Sequence, residues 1–173
     1  TNNNEINEYS LDDIINTKND YIKSLKNMSL CNSWDFCSFH NNILWIGDFF
    51  LNPFYPVNDN NPLLMGYIIE DNIDYTEPNY IISLPKMVQG LTFTSDNQFV
   101  FTSSFTYLIQ SELSIYKNVL EEEHEYYELN GKKIPYYKFG KENLVKKVKL
   151  PPMAEGLFNI NNELFILFES SSD

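Results

Sequence analysis

The strongest constraint on this chain is that parts of it are written more than once. Tyr80-Ile81-Ile82-Ser83-Leu84-Pro85-Lys86-Met87-Val88-Gln89-Gly90-Leu91 returns as Val148-Lys149-Leu150-Pro151-Pro152-Met153-Ala154-Glu155-Gly156-Leu157. At a shift of 66 positions Pro85 falls on Pro151, Met87 on Met153, Gln89 on Glu155 and Gly90 on Gly156. The same shift puts Phe99 on Phe165 and Ser103 on Glu169, with no gap. A fainter copy needs a shift of 59 over residues 21–28 and of 55 over residues 36–48, so four extra residues lie between Met28 and Phe36. Units repeated in this way are expected to stack, because one such unit cannot bury its apolar face alone.

Each copy carries the same coarse pattern. A strand ends near Leu25, Leu84 or Leu150, and a connection with Pro or Met follows; proline cannot sit inside a ladder. Two short apolar strands then flank a polar turn: His40-Asn41-Asn42, Ser95-Asp96-Asn97 or Asn161-Asn162. Asn and Asp at such tips read as hairpins. A third strand follows around residues 66–70 and 112–116, and the cycle closes at 80–84 and 144–150. Four antiparallel strands per unit predict an all-β chain of β-propeller blades. The expected organisation is an N-terminal segment (1–20) and a first blade unit (21–84) with a Pro/Asn-rich loop (49–65). A second unit (85–150) with an insertion (117–143) and the first half of a third blade (151–173) follow. Asn130-Gly131 predicts a hairpin inside the insertion. Ser10 and Asp13 resemble a capping box and allow a short helix over 11–17. About two and a half blades cannot close a ring, and an open arc leaves exposed strand edges. The expectation is therefore a partner chain or further blades of one precursor.

Among 173 residues the formal charge is −12, with 43% hydrophobic and 16% aromatic residues. That surface repels phosphate backbones and anionic membranes, so nucleic acid is not an expected partner. No run approaches the roughly 18 apolar residues of a transmembrane segment. Cys31 and Cys37 could form one local disulfide, which would suit a secretory compartment, or could stay reduced. Asn27-Met28-Ser29 is a glycosylation sequon at Asn27.

The hairpin geometry places the start of each first strand beside the end of the second. This predicts a polar channel rim of Asp35, Asp48, Gln89, Ser103, Glu155 and Glu169. Its carboxylates could hold calcium, the one cofactor considered, through Asp48, Glu155 and Glu169; Ca²⁺ takes six to eight oxygen ligands. They could also act as acid–base pairs, or simply satisfy backbone groups between blades. The run Glu121-Glu122-Glu123-His124-Glu125 is a weaker cation candidate, and His40 is expected to be exposed at its turn. Ser103-Ser104 lacks a nearby histidine, and six glycines provide no phosphate-cradling loop. Trp45, Phe49, Phe50, Phe54 and Tyr55 are expected to pack the core.

Leu44-Trp45-Ile46-Gly47-Asp48-Phe49, Val88-Gln89-Gly90, Thr102-Ser103-Ser104, Met153-Ala154-Glu155-Gly156 and Phe168-Glu169-Ser170 resemble a family of uncharacterised, mostly secreted propeller-like proteins. The resemblance implies a propeller fold and a secretory, extracellular or vacuolar location, and attaches no reaction. The expected function is a secreted or surface propeller segment acting as a binding or assembly module in a larger complex. The alternative is a calcium-dependent propeller hydrolase or lactonase.

Overall fold

Asparagine sets the turns. Asn41 and Asn42 have φ of 49° and 63°, Asn161 and Asn162 of 52° and 65°, and Asn130 and Gly131 of 51° and 80°. Successive left-handed residues are what a two-residue hairpin turn requires, and Asn tolerates them better than bulkier residues. The first two pairs join β3 (Phe36–His40) to β4 (Ile43–Gly47) and β13 (Ala154–Ile160) to β14 (Glu163–Phe168). The third joins β10 (Glu125–Leu129) to β11 (Lys132–Lys138).

The computed structural model describes residues 5–16, 26–29, 35–49, 62–70 and 77–169. These residues form an all-β chain with one short α-helix, α1 (Leu11–Asn16). The helix is capped as the sequence suggests: the Asp13 amide donates to Ser10 Oγ at 3.3 Å. The remaining strands are β1 (Glu5–Glu8), β2 (Lys26–Ser29), β5 (Leu63–Ile68), β6 (Tyr80–Ser83), β7 (Val88–Phe93), β8 (Phe99–Ser103), β9 (Ser111–Tyr116) and β12 (Leu144–Leu150).

Two antiparallel meanders dominate. One runs β3-β4-β5-β6 and the other β7-β8-β9-β12. A hairpin, β13-β14, follows them, and β1-β2 forms a separate two-stranded sheet. β3 packs against β7, and β7 against β13. Among the described residues no sheet closes on itself. The expected strand ending near Leu25 lies outside the described residues, and the described strand there, β2, occupies residues that align with the Pro-Met connection.

The insertion between β9 and β12 does more than form the expected hairpin. β11 pairs in parallel with β6, so the insertion of the second meander adds two strands to the first and gives a mixed six-stranded sheet. Buried Asn143 anchors its return: its side chain accepts from the Gly140 amide and donates to Glu122, both at 2.8 Å.

The aligned stretches share some backbone features and differ in one. Met87 and Met153, aligned in sequence, both adopt left-handed φ of 63° and 64°. Both following strands open with a bulge, between Val88 and Gly90 and between Ala154 and Leu157. Leu91 pairs with Phe101, yet Leu157 pairs with Ile166 rather than with Leu167, which a constant shift of 66 requires. The third unit has a connection one residue shorter. Glu169 therefore matches Ser104, not Ser103: the Ser104 amide donates to the Met87 carbonyl at 3.0 Å and the Glu169 amide to that of Met153 at 2.9 Å.

The main core lies between the two meanders. Trp45, Leu64, Ile82 and Leu84 meet Leu91, Phe93, Phe99, Phe101 and Tyr116. Trp45 is 1% exposed and its ring lies 6.1 Å from Phe93 and 5.5 Å from Phe99, the latter edge to face. Gly66 lies opposite Trp45 in the sheet, where a Cβ would come within 2.6 Å of the indole. Of the other expected core aromatics, Phe49 is half-buried, and Phe50, Phe54 and Tyr55 lie outside the described residues.

Truncating Trp45 to Ala should cost about 3–5 kcal/mol, the usual range for a buried aromatic, read as a lower urea midpoint. Gly90→Ala should cost about 1–3 kcal/mol, because its Cβ would lie 2.3 Å from the Glu155 carbonyl oxygen and 2.7 Å from Thr102 Oγ1. Denaturation of that variant reads whether the second meander and the following hairpin need this close approach.

Candidate functional site

The hairpins bring the expected carboxylates together as two separate pairs. Asp35 immediately precedes β3 and Asp48 immediately follows β4, and their backbones are tied at that end of the hairpin. The Asp35 amide donates to the Gly47 carbonyl at 3.0 Å and the Asp48 amide to that of Leu63 at 3.0 Å. Asp35 is exposed, and its Oδ2 accepts from the Phe49 amide at 2.5 Å, holding the chain as it leaves β4. Asp48 is half-buried, and its Oδ1 is buried with no hydrogen-bond partner among the described residues. Burial, then the nearby Asp35 charge, raises the Asp48 carboxyl from an ordinary 3.8 to about 7. One member of this pair is exposed and bonded to backbone, while the other is half-buried and holds its proton more tightly than an ordinary carboxyl.

The second pair is Glu155 with Glu169. Glu155 sits in the bulge of β13 and Glu169 directly after β14. Burial raises the Glu155 carboxyl, and the Glu169 charge and a hydrogen bond with Glu169 add to the effect. Gln89 occupies the equivalent bulge of β7, and Ser103 ends β8 opposite Val88. The two bulges adjoin: Thr102 Oγ1 donates to the Glu155 carbonyl at 2.7 Å, beside Gly90. Ser111 Oγ accepts from the Ala154 amide at 3.0 Å, and Asn159 donates to the Phe93 carbonyl at 2.8 Å. The polar groups at this junction thus serve largely to join the second meander to the following hairpin.

The expected metal set is not assembled. Among the described residues no three His, Cys, Asp or Glu side chains form a metal-holding group, so Asp48, Glu155 and Glu169 do not converge. The reason is their location: Asp48 belongs to the first meander, and the two glutamates to the hairpin beyond the second. The acidic insertion is also occupied. Glu122 accepts from Asn143, Glu125 pairs with Lys138 at 2.7 Å, and His124 lies near the rings of Tyr126 and Tyr137.

Other expectations meet different outcomes. Cys37 is an exposed free thiol, and Cys31, its candidate bridge partner, lies outside the described residues. Asn27 of the sequon lies on β2, paired with Asn7 of β1. His40 is half-buried rather than exposed. It stacks on Phe93 at 4.3 Å, and its Nε2 lies 2.8 Å from Asn97 Oδ1, which also accepts from Asn41 at 2.9 Å. No helix among the described residues is long and apolar enough to cross a membrane.

The uncovered apolar surface on the last hairpin was not legible in the sequence. Phe158, Ile160, Leu164, Phe165, Leu167 and Phe168 are all exposed, and the Phe158 and Phe165 rings stack at 5.1 Å. The run Leu164-Phe165-Ile166-Leu167-Phe168 reads as a fully buried strand, so its exposure is visible only in three dimensions. No protein-family model matches the chain, and neither a characterised protein nor a solved structure shows significant similarity to it.

The Asp48 shift has a pH signature. The folded chain binds the Asp48 proton more tightly than the unfolded chain. Its contribution to stability therefore falls as pH rises from about 4 to about 7 and stays lost above that. Asp48→Asn should abolish this slope and raise stability at pH 8 by on the order of 1 kcal/mol after allowance for solvent screening. Urea midpoints of both proteins at pH 4.5 and pH 8 check it; curves that stay parallel between the two pH values contradict it.

Proposed function

We propose that this chain is a β-propeller segment acting as a non-catalytic assembly and binding module, in the secretory or surface setting that the sequence resemblance implies. The observation carrying this reading is the incomplete β13-β14 hairpin. β4 and β8 are each covered on their outer edge by a further antiparallel strand, β5 and β9. Among the described residues β14 has no such neighbour. Its apolar side chains stand in water, with Leu167 61% exposed. A long, apolar, unpaired edge is an aggregation hazard unless another strand covers it. The successive packing of β3 on β7 and β7 on β13 favours radially arranged sheets.

The calcium-dependent hydrolase reading has less support. Its carboxylates stand as two separate pairs, and calcium needs more oxygen ligands than either pair supplies.

Amide hydrogen exchange on the purified protein tests the assembly reading. Alternate β14 amides face away from β13. They should be protected nearly as well as those of β8, and Leu167→Lys should increase their exchange at least tenfold. Exchange in the unaltered protein as fast as in an open loop would exclude a partner at this edge.

A further inference from the structure

The last strand of each meander presents a row of side chains to the sheet that follows it. The shift of 66 that aligns Pro85 with Pro151 also puts Tyr80, Ile82 and Leu84 on Lys146, Val148 and Leu150. The strand registers agree with that match. Ile82 stands opposite Leu64 as Val148 stands opposite Leu113, and Tyr80 opposite Gly66 as Lys146 opposite Ile115. Ile82 and Leu84 join the main core with Phe101 and Tyr116 of the second meander. Leu113 clusters with Val100 and with Leu157 of the last hairpin, and Ile115, Leu150 and Ile166 pack against them. The β12 row therefore faces the last hairpin as the β6 row faces the second meander.

The two rows differ in cover and in charge. Ile82 is 0% and Leu84 5% exposed, because the third strand of the second meander, β9, brings Tyr116 into their cluster. Among the described residues the last hairpin has no third strand, and Val148 is 38% exposed. At the level where the first joint has Tyr80, stacked with Trp45, the second has the exposed Lys146. Lys147, on the opposite face of β12, is paired with Glu112, whereas Lys146 forms no ion pair among the described residues.

We infer that the β14 edge receives an extended segment of a partner polypeptide, antiparallel to β14, that carries two apolar side chains and then a carboxylate at alternate positions. The inference rests on the assembly reading above. Its order follows from the strand directions. β13 runs along β7 in the same sense, since the Glu155 carbonyl adjoins Gly90 near their starts and Asn159 reaches the Phe93 carbonyl near their ends. A strand that extends the hairpin as β9 extends β8 passes Leu150 first, then Val148 and then Lys146. Alternate residues of a strand face one side. Apolar groups fit the first two levels, where they continue the cluster already formed by Leu113, Leu157 and Ile166. At the third level an apolar group would take the Lys146 ammonium out of water without a partner, whereas a carboxylate pairs with it. Main-chain bonds to β14 supply affinity, and the three levels on β12 supply selectivity.

Carbodiimide coupling of the purified protein, read by peptide mass spectrometry beside amide exchange of β14, tests this. The reagent joins a lysine amine to a touching carboxylate as an amide and takes up the water released. Lys146 should be joined to a carboxylate that ends an apolar-x-apolar-x-acidic stretch of another polypeptide. Lys146→Glu should speed exchange of the outward-facing β14 amides at least tenfold, and Lys146→Arg, which keeps the charge, should leave it unchanged. Protected β14 amides with Lys146 uncoupled, coupled within its own chain or coupled to a second copy overturn the inference and leave the assembly reading standing. Equal exchange in the Glu and Arg variants does the same. Unprotected β14 amides in the unaltered protein overturn both.

Discussion

The contact on which the rest of the structure depends is the packing of one meander on the next through aromatic rings. Trp45 projects from β4 to meet Phe93 and Phe99 of β7 and β8, and Phe99 and Phe101 pass the contact on to Phe139 at the end of the insertion. Neither meander could shield these rings alone, since a single sheet has one face to bury and nothing to bury it against. Once the rings meet, the relative placement of β3 and β7 follows. With it come the stack of His40 on Phe93 and the two hydrogen bonds into Asn97. The insertion strengthens the same joint from the periphery, by laying β11 along β6. Exposed ion pairs such as Lys138–Glu125 and Lys147–Glu112 add little by comparison.

The second joint is built differently. Between the second meander and the last hairpin, Val100, Leu113 and Leu157 form a smaller apolar cluster, and polar contacts do the aligning. Thr102 reaches the Glu155 carbonyl, Ser111 receives the Ala154 amide, and Asn159 reaches Phe93. Gly90 permits that approach because any side chain there would strike backbone. This gives the Gln89 and Glu155 positions a structural explanation. Gly90 lies where the two bulged strand starts meet, whereas a Cβ on Gly156 would meet only the Leu167 side chain of its own hairpin, at 3.3 Å. The carboxylate pairs sit at the ends of the hairpins as a consequence. Asp48 holds its proton near neutrality because β4 delivers it into a half-buried position next to Asp35, not because a ligand set surrounds it.

Much of the fold was legible locally. Asn41-Asn42, Asn130-Gly131 and Asn161-Asn162 announced turns because left-handed backbone is costly for most other residues. Short apolar runs between them announced strands, and Ser10 announced a helix start. The pairing of Asp35 with Asp48 and of Glu155 with Glu169 was legible too, since a hairpin must bring its two ends together. Three features were not. A constant shift between repeats cannot show a connection shortened by one residue, so Glu169 was matched to Ser103 instead of Ser104. Nothing local in residues 132–138 says that they pair in parallel with β6. His40 looked solvent-exposed at a turn because its neighbours, Phe93 and Asn97, are more than fifty positions away.

The sequence by itself indicated most of the strands and the Asn-bearing turns, because each depends on the conformational preferences of a few neighbouring residues. Tertiary structure alone decided which faces are covered. The five apolar residues from Leu164 to Phe168 have the composition of a buried strand, yet most stand exposed. Composition records how strongly a surface prefers to leave water, whereas its burial depends on whether another strand lies beside it. For β4 and β8 that strand comes from nearby in the chain, and for the outer edge of β14 none does among the described residues.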